Sequence, residues 1–493
     1  MPFQLRTVLV AFLAALLTLA APSAALAGAL EEIKARGVLL YGSDVEGGMP
    51  YVAQDAKNPE VVTGFEAEIM EALAKELGVK AQLVHNAWDG LIPAMNRGNF
   101  DIVINGLEIT PERREVVQYS RPYYVYTQQI VVREGTTGLE TLNDLAGKRV
   151  GTLSGTVAER LLTSLPGIDL KLYPSNVQPY DDLLLGRLDA VLLDTPIATY
   201  YGKREGLVTS GRPFSEGFYA IGIRKQDHEL KKAIDEAIGT ILANGELERI
   251  LRGYDLWNEA QAPLFSYRPE AETTMGNASF WGQLRDSWPL FLRGAAMTVT
   301  VSVLAMVLAI ALGILLAVTR VYGPKPLGAL AATYVEIFRG TPLLIQLFLI
   351  YYGLPTLGIQ LDAFVAAVVG LGLNYAAYEA ENYRAGLQAV PKGQMEAAMA
   401  LGMNRWQALQ HIQLPQSLRI VIPPVTNDFI ALFKDSSVVS IITMVELTKV
   451  YGMLASSTYN YIGFGLVTAA IYFVISYPTS LFARWIEVRL RVA

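Results

Sequence analysis

The chain has 493 residues, 52% of them hydrophobic and 17% charged, with a mean hydropathy of +0.31. A typical soluble protein carries about 25% charged residues, so a disordered chain, a fibrous repeat and an ordinary soluble enzyme are excluded. Cysteine is absent and histidine occurs three times, which excludes a disulfide framework and thiol catalysis and argues against a metal site. The net charge of -6 divides unevenly, -10 over residues 1–279 and +4 from residue 280 on. An acidic front block argues against a nucleic-acid partner, which needs a basic face.

At the start, Arg6 precedes an apolar run from Val8 to Leu17, Pro22 breaks it, and Ala25-Leu26-Ala27 offers a small-residue cleavage site. That order describes a signal peptide over residues 1–27; an uncleaved anchor is the alternative. Either places residue 28 onward outside the cytoplasm.

Residues 28–258 alternate short apolar runs with amphipathic stretches. Val38–Tyr41, Ala81–Val84, Asp101–Ile104, Lys148–Leu153 and Leu188–Asp194 read as strands. Phe65–Leu77 carries apolar residues at helical spacing and stops at Gly78; Leu91–Arg97 reads as a shorter helix. Such alternation predicts parallel α/β sheets, which bind ligands beyond the carboxyl ends of their strands. The loops there are Gly42-Ser43-Asp44, Asn105 to Arg113 with Gly106 inside it, Ser154-Gly155-Thr156 before a helix, and Asp194-Thr195.

Four motifs then occur in order: Gly64-Phe65-Glu66, Trp88 to Ala94, Ile109-Thr110-Pro111-Glu112-Arg113, and Tyr119-Ser120-Arg121-Pro122-Tyr123. Over about 220 residues the chain resembles the extracellular solute-binding protein family 3, which captures polar amino acids for ABC importers. The resemblance implies two α/β lobes: residues 30–126 with 224–258, and about 130–217. Crossing strands are expected near Tyr126–Gln129 and Phe218–Ile223. It also implies that Arg113 grips a ligand α-carboxylate, a task that suits a planar bidentate guanidinium. Thr156 matches a second carboxylate contact, Asp194 the acid facing the α-ammonium, Trp88 a flanking aromatic and Asp44 the start of side-chain contact. Each has a structural alternative: a surface ion pair for Arg113, helix caps for Thr156 and Asp194, core filler for Trp88, a turn for Asp44. Two departures stand out. Glu108 replaces the usual Ser or Thr near the ammonium, and Asp44–Tyr51 is longer than usual and lacks an aromatic before its proline. Extra carboxylates favour a cationic ligand over a neutral one, provided Glu108 faces the cleft.

Residues 259–279 mix Pro, Ala, Glu, Thr and Gly without apolar periodicity and read as a tether with a relaxed span of roughly 25 Å. Beyond it, residues 294–319, 340–361 and 450–483 carry no charge. About 20 apolar residues span a bilayer, so five spans are expected near 294–319, 330–352, 362–383, 417–434 and 463–484. Arg320, Lys325, Arg384, Lys392, Arg405, Arg484, Arg489 and Arg491 fall on one side. The positive-inside rule makes that side cytoplasmic, with the front domain outside a lipid membrane.

Between the third and fourth spans, Glu396-Ala397-Ala398 leads to Gly402, and Ile412–Gln416 reads as a second short helix stopped by Pro415. With Phe338 to Leu344 and Leu432 to Ser437, this block resembles the EAA-loop (type I) permeases of amino-acid ABC importers over about 200 residues. The resemblance implies that the loop near 396–416 docks an ATPase through Glu396, Ala397, Ala398 and Gly402. No G-x-x-x-x-G-K-[ST] occurs, so ATP is expected on a separate subunit and no cofactor in this chain. Polar residues inside spans point to function; Arg339, Glu379, Glu381 and Asn382 face a translocation path or pair with one another and with Arg384. The combined reading is a fused importer subunit in the cell membrane, working as a homodimer because a pore needs two halves. Its rivals are a ligand-gated channel, whose binding domain membrane spans would interrupt, and a dehydratase on the same fold.

Overall fold

The computed structural model describes residues 28–45, 48–54, 58, 61–267 and 279–491. The expected signal peptide and residues 268–278 of the tether lie outside them.

The front block folds as two five-stranded sheets. In the first, Val38–Ser43 pairs in parallel with Lys80–His85 and Ile102–Val103. Gly222–Ile223 closes it antiparallel, beside Gln118–Tyr119. The helix Phe65–Leu77 buries Phe65, Ile69, Met70, Leu73 and Ala74, which share one face at helical spacing. In the second sheet Arg149–Leu153 runs parallel to Asp169–Tyr173 and Ala190–Asp194. Two long strands, Tyr124–Arg133 and Leu207–Tyr219, leave the first lobe side by side and pair antiparallel into the second. They are the crossing strands. The second ends at Tyr219, and a break at Ala220-Ile221 separates it from Gly222–Ile223.

The tether begins later than its composition indicates. Gln261 is buried and its amide joins the crossing strand twice, donating to the Val125 carbonyl and accepting its N–H, both at 2.9 Å. Leu264 is also buried, and Arg121 donates to its carbonyl at 3.3 Å. A single buried amide and one leucine give no periodic signal, so the sequence pattern missed them.

The rear block is helical. Phe280–Tyr322, Ala363–Ala389 and Tyr461–Phe482 are long and apolar enough to cross a bilayer. Two bent pairs bring the number of spans to as many as five: Lys325–Gly340 with Leu343–Leu357, bent by 107°, and Arg405–Ile442 with Leu447–Thr458, bent by 57°. The first bend falls at Thr341-Pro342, since proline disfavours helix in the residue before it. The expected second span, 330–352, is therefore broken, whereas the expected fourth, 417–434, lies whole within the helix Leu414–Asp435 and the second bend follows it. The core of this block mixes small residues, Ala305, Ala309, Ala366, Ala367 and Ala376, with larger ones such as Leu347, Leu371 and Leu432. Small side chains let helix backbones approach where no hydrophobic effect drives them together.

Pro415 does not stop a helix. It sits in the first turn of Leu414–Asp435, which continues from Arg405–Ala408 through a π-helical turn, Leu409–Gln413. The wider turn accommodates a residue without an N–H.

Candidate functional site

The Thr110-Pro111-Glu112-Arg113 motif makes one helical turn, Pro111–Arg114. Proline opens it, and the Thr110 hydroxyl caps the Arg113 N–H at 3.3 Å. That turn aims a buried guanidinium into the seam between the lobes. Its Nη1 donates to the Glu108 carbonyl and to Glu108 Oε2, both at 3.0 Å. Nη2 donates across the seam to the Gly155 carbonyl at 2.7 Å. Nε donates to the Tyr459 hydroxyl at 2.8 Å. The Trp88 ring lies 5.2 Å below the guanidinium carbon. The surface-pair alternative for Arg113 is excluded by its burial, 4% exposed.

Glu108 is 1% exposed, so it faces neither water nor an open ammonium position. Its Oε2 pairs with Arg113, and its Oε1 accepts from the Val157 N–H at 2.8 Å, at the start of the helix Val157–Thr163. One side chain thus takes both a guanidinium N–H and a helix-terminal donor, the two kinds of group that suit a carboxylate. Thr156 is that helix's N-cap: its hydroxyl accepts from Glu159 N at 3.3 Å and donates to the Leu153 carbonyl at 2.8 Å.

Asp194 ends the strand Ala190–Asp194 and precedes a helix, yet its side chain does not cap it. The carboxylate accepts instead from Gln128 Nε2 at 2.5 Å and from the Tyr219 hydroxyl. Tyr219 also bonds Tyr51 at 2.8 Å and stacks on Tyr126 at 4.7 Å. Burial, reinforced by the charge of Glu108, raises the Asp194 carboxyl well above the usual carboxylate range. A cation placed against it would restore its charge.

Trp88 is more than core filler. Its backbone N–H donates to Asp44 Oδ2 at 3.0 Å, and its Nε1 crosses the seam to the Ser154 carbonyl at 3.1 Å. Asp44 is buried and also donates its N–H to Asn105 at 2.9 Å. Gly106, at φ +60°, gives its N–H to Glu66 at 2.6 Å, and a Cβ there would stand 2.9 Å from the Tyr51 ring. Glu66 also accepts from the Tyr123 hydroxyl, and burial pushes its carboxyl up to about 8. The structure therefore brings Asp44, Trp88, Glu108, Arg113 and Asp194 to one buried seam, with Thr156 and Gly106 holding its backbone. Sequence reasoning missed Gln128, Tyr219 and Tyr459. The alternation Tyr124, Tyr126, Gln128 along one face of a strand was a local signal for the first; Tyr459 lies 346 positions from its partner.

In the rear block Glu381 takes the pairing alternative, bonded to Arg320 at 2.8 Å and to Arg384. Asn382 donates to Asp428 at 2.8 Å. Glu379 is fully buried, within electrostatic reach of Tyr383 and Asp428. Arg339 pairs with none of them; it lies 5.7 Å over the Tyr378 ring. In the hairpin, Glu396 and Ala397 are exposed, Ala398 is buried, and Gly402 turns the chain at φ +89°.

Residues 44–256 match the bacterial extracellular solute-binding proteins, family 3, and residues 309–492 match the binding-protein-dependent transport system inner membrane component. The rear block is 39% identical over 207 residues to a probable glutamine ABC transporter permease protein of Bacillus subtilis, covering 42% of this chain and 96% of that one. The front block is 35% identical over 230 residues to an L-cystine-binding protein of Escherichia coli, covering 45% of this chain and 84% of that one. Among solved structures, an ArgBP mutant from T. maritima shares 31% identity over 46% of this chain and 99% of its own, with a TM-score of 0.43. The chain belongs to both families, a solute-binding protein and a permease in one polypeptide. It is a capture-and-translocation subunit of an ABC importer of the amino-acid class and an integral membrane protein.

Proposed function

We propose that this subunit takes a polar α-amino acid into the seam between its lobes and passes it to its own membrane helices. A separately encoded ATPase drives the transfer. The observation that carries this reading is the pairing of two buried, opposite groups in one seam. Arg113 matches a ligand α-carboxylate, and Asp194, held by Gln128 and Tyr219, matches an α-ammonium. Asp44 and Trp88 then meet the ligand side chain. Two buried carboxylates, Glu108 and Asp194, outnumber the one buried guanidinium, Arg113, which pairs with Glu108, and this favours a cationic ligand over a neutral one because buried charge without a counter-ion is costly. Relatives named for glutamine, arginine and L-cystine bracket the same class.

The ATPase docks on the hairpin near 396–416. Leu401 at 84% and Trp406 at 65% exposure stand there beside Met399, an apolar patch that a partner would cover. ATP belongs to that partner. The front domain contacts the membrane block at Tyr351 and Tyr461, on charge-poor connections, which supports an extracytoplasmic placement in the cell membrane with lipid around the helices. Two copies complete the pore. Calorimetry of the full chain in lipid nanodiscs against a panel of amino acids tests the ligand class: binding to a cationic or polar member supports it, and no heat with any of them contradicts it.

A further inference from the structure

The front domain touches the membrane block through both lobes. In lobe two, Arg187 lies over the Tyr351 ring at 4.1 Å and donates to the Tyr351 carbonyl at 2.7 Å, while the Tyr351 hydroxyl donates to Asp182 at 3.0 Å. In lobe one, the Tyr461 hydroxyl donates to the Asp89 carbonyl at 2.9 Å. Between these anchors, the end of the helix Leu447–Thr458 and the residue after it reach the seam. Ser456 and Tyr459 line a cavity of about 20 Å³ together with Trp88, Leu107, Arg113 and Gly155.

We propose that Tyr459, carried by the membrane block, is a ligand-release residue: docking sets its hydroxyl on the Arg113 fork, at the edge a ligand carboxylate needs. The inference rests on Arg113 being the carboxylate grip. A guanidinium offers five N–H groups along two forked edges, Nη1 with Nη2 and Nε with Nη2. Glu108, five residues away in the same loop, holds Nη1 through both its carbonyl and its carboxylate. The edge left for a bidentate ligand is Nε with Nη2. On that edge stand the Tyr459 hydroxyl at 2.8 Å and the Gly155 carbonyl at 2.7 Å. The first comes from the membrane block and the second from lobe two. A carboxylate on this edge must displace the tyrosine, and a returning tyrosine must displace the carboxylate.

The backbone agrees. Tyr459 caps its helix at φ 58°, ψ 15°, its N–H on the Ala455 carbonyl at 2.8 Å. Left-handed geometry is uncommon for a bulky residue and persists only when its surroundings hold it. Its ring packs against the cluster of Leu91, Ile92, Leu107 and Tyr119 in lobe one. A turn alone would favour Gly or Asn at this position; the tyrosine supplies the hydroxyl.

A group that competes from within the same chain lowers apparent affinity by the fraction of time it occupies the site. Removing it tightens binding. Tyr459→Phe keeps the ring and deletes the oxygen. The test uses the full chain in lipid nanodiscs, with L-arginine, L-glutamine and L-cystine in parallel titrations and a melting curve without any of them. The expected result is about tenfold tighter binding, the scale of one hydrogen bond to a charged group, together with a lower melting temperature. A purely structural tyrosine would lower both stability and affinity, so weaker or unchanged binding in Tyr459→Phe overturns the release role. Arg113→Gln runs alongside. Lost binding there with Tyr459→Phe unchanged removes the release role and leaves the grip standing. Binding that survives Arg113→Gln removes the grip, and the release role with it.

Discussion

The seam between the lobes and the hairpin at 392–413 place their functional groups by opposite means. In the seam Arg113 and Asp194 are buried, Trp88 is half-buried, and each has a partner far away in sequence: Arg113 in Gly155 and Tyr459, Trp88 in Ser154, Asp194 in Gln128. In the hairpin the shape is local. Gly402 closes the helix Lys392–Ala400 with its N–H on Met399 and the following N–H on Ala398, and nothing lies within 4 Å of where its Cβ would be. The seam is built to discriminate a ligand, which needs desolvated, paired polar groups. The hairpin is built to present a surface, which needs only a defined backbone. Substitutions should therefore act through charge in the seam and through backbone geometry in the hairpin.

The largest expected effect is at Arg113. Replacing it with Ala leaves Glu108 as a buried, unpaired charge and removes the ligand's partner, so affinity for any α-amino acid should fall at least about a hundredfold. Calorimetry on the full chain checks this, and a change under tenfold would erase the contrast with the hairpin. Arg113→Ala combined with Glu108→Gln should recover thermal stability but not binding, which separates folding from capture.

Glu66 gives the next effect, on stability. Its carboxyl is raised by burial from 4.5 to about 8. The folded state therefore holds a proton that the unfolded chain has lost between those values. Its contribution is fully present below pH 4.5, declines by about 1.4 kcal/mol per pH unit as pH rises, and levels off above about 8. Glu66→Gln should flatten the melting temperature between pH 5 and 8, measured at fixed salt. An unaltered slope would place the titration elsewhere.

Gly402→Val should strain the hairpin by about 1–2 kcal/mol, the cost of a left-handed side-chain residue. Space is free around the position, so the effect is on backbone alone. With the ATPase bound, ligand-stimulated hydrolysis should drop while ligand affinity stays within about twofold. Affinity that falls in parallel would mean that the two regions are not separable.

Smallest is Glu108→Thr, which removes the carboxylate from Arg113 Nη1 and from the Val157 N–H while the backbone carbonyl stays on Nη1. It should shift the ratio of cationic to neutral affinity toward neutral ligands by about tenfold or less. Titrating both ligand classes on both variants measures it, and a constant ratio would show that the charge of Glu108 is spent wholly on Arg113.

The sequence was read well where the signal was local. The helix Phe65–Leu77, the turn at Gly402 and the long apolar spans near 294–319, 362–383 and 463–484 follow from short-range spacing. It was read poorly where two distant groups meet. Glu108 reads as a departure from the family pattern, and its pairing with Arg113 and the Val157 N–H required the fold. Tyr459 carries no signal beyond an ordinary tyrosine before Asn460. Gln261 looked like tether because one buried amide has no period. The bend at Thr341-Pro342 interrupts a run whose composition alone reads as a straight span.

The central claim is that capture and translocation belong to one ATP-driven chain. The direct measurement reconstitutes the full chain with its ATPase in liposomes, with a radiolabelled amino acid on the front-domain side and no free binding protein. The prediction is uptake that requires ATP hydrolysis and is abolished by Arg113→Ala. Ligand-induced ion current in the absence of ATPase and nucleotide would contradict it.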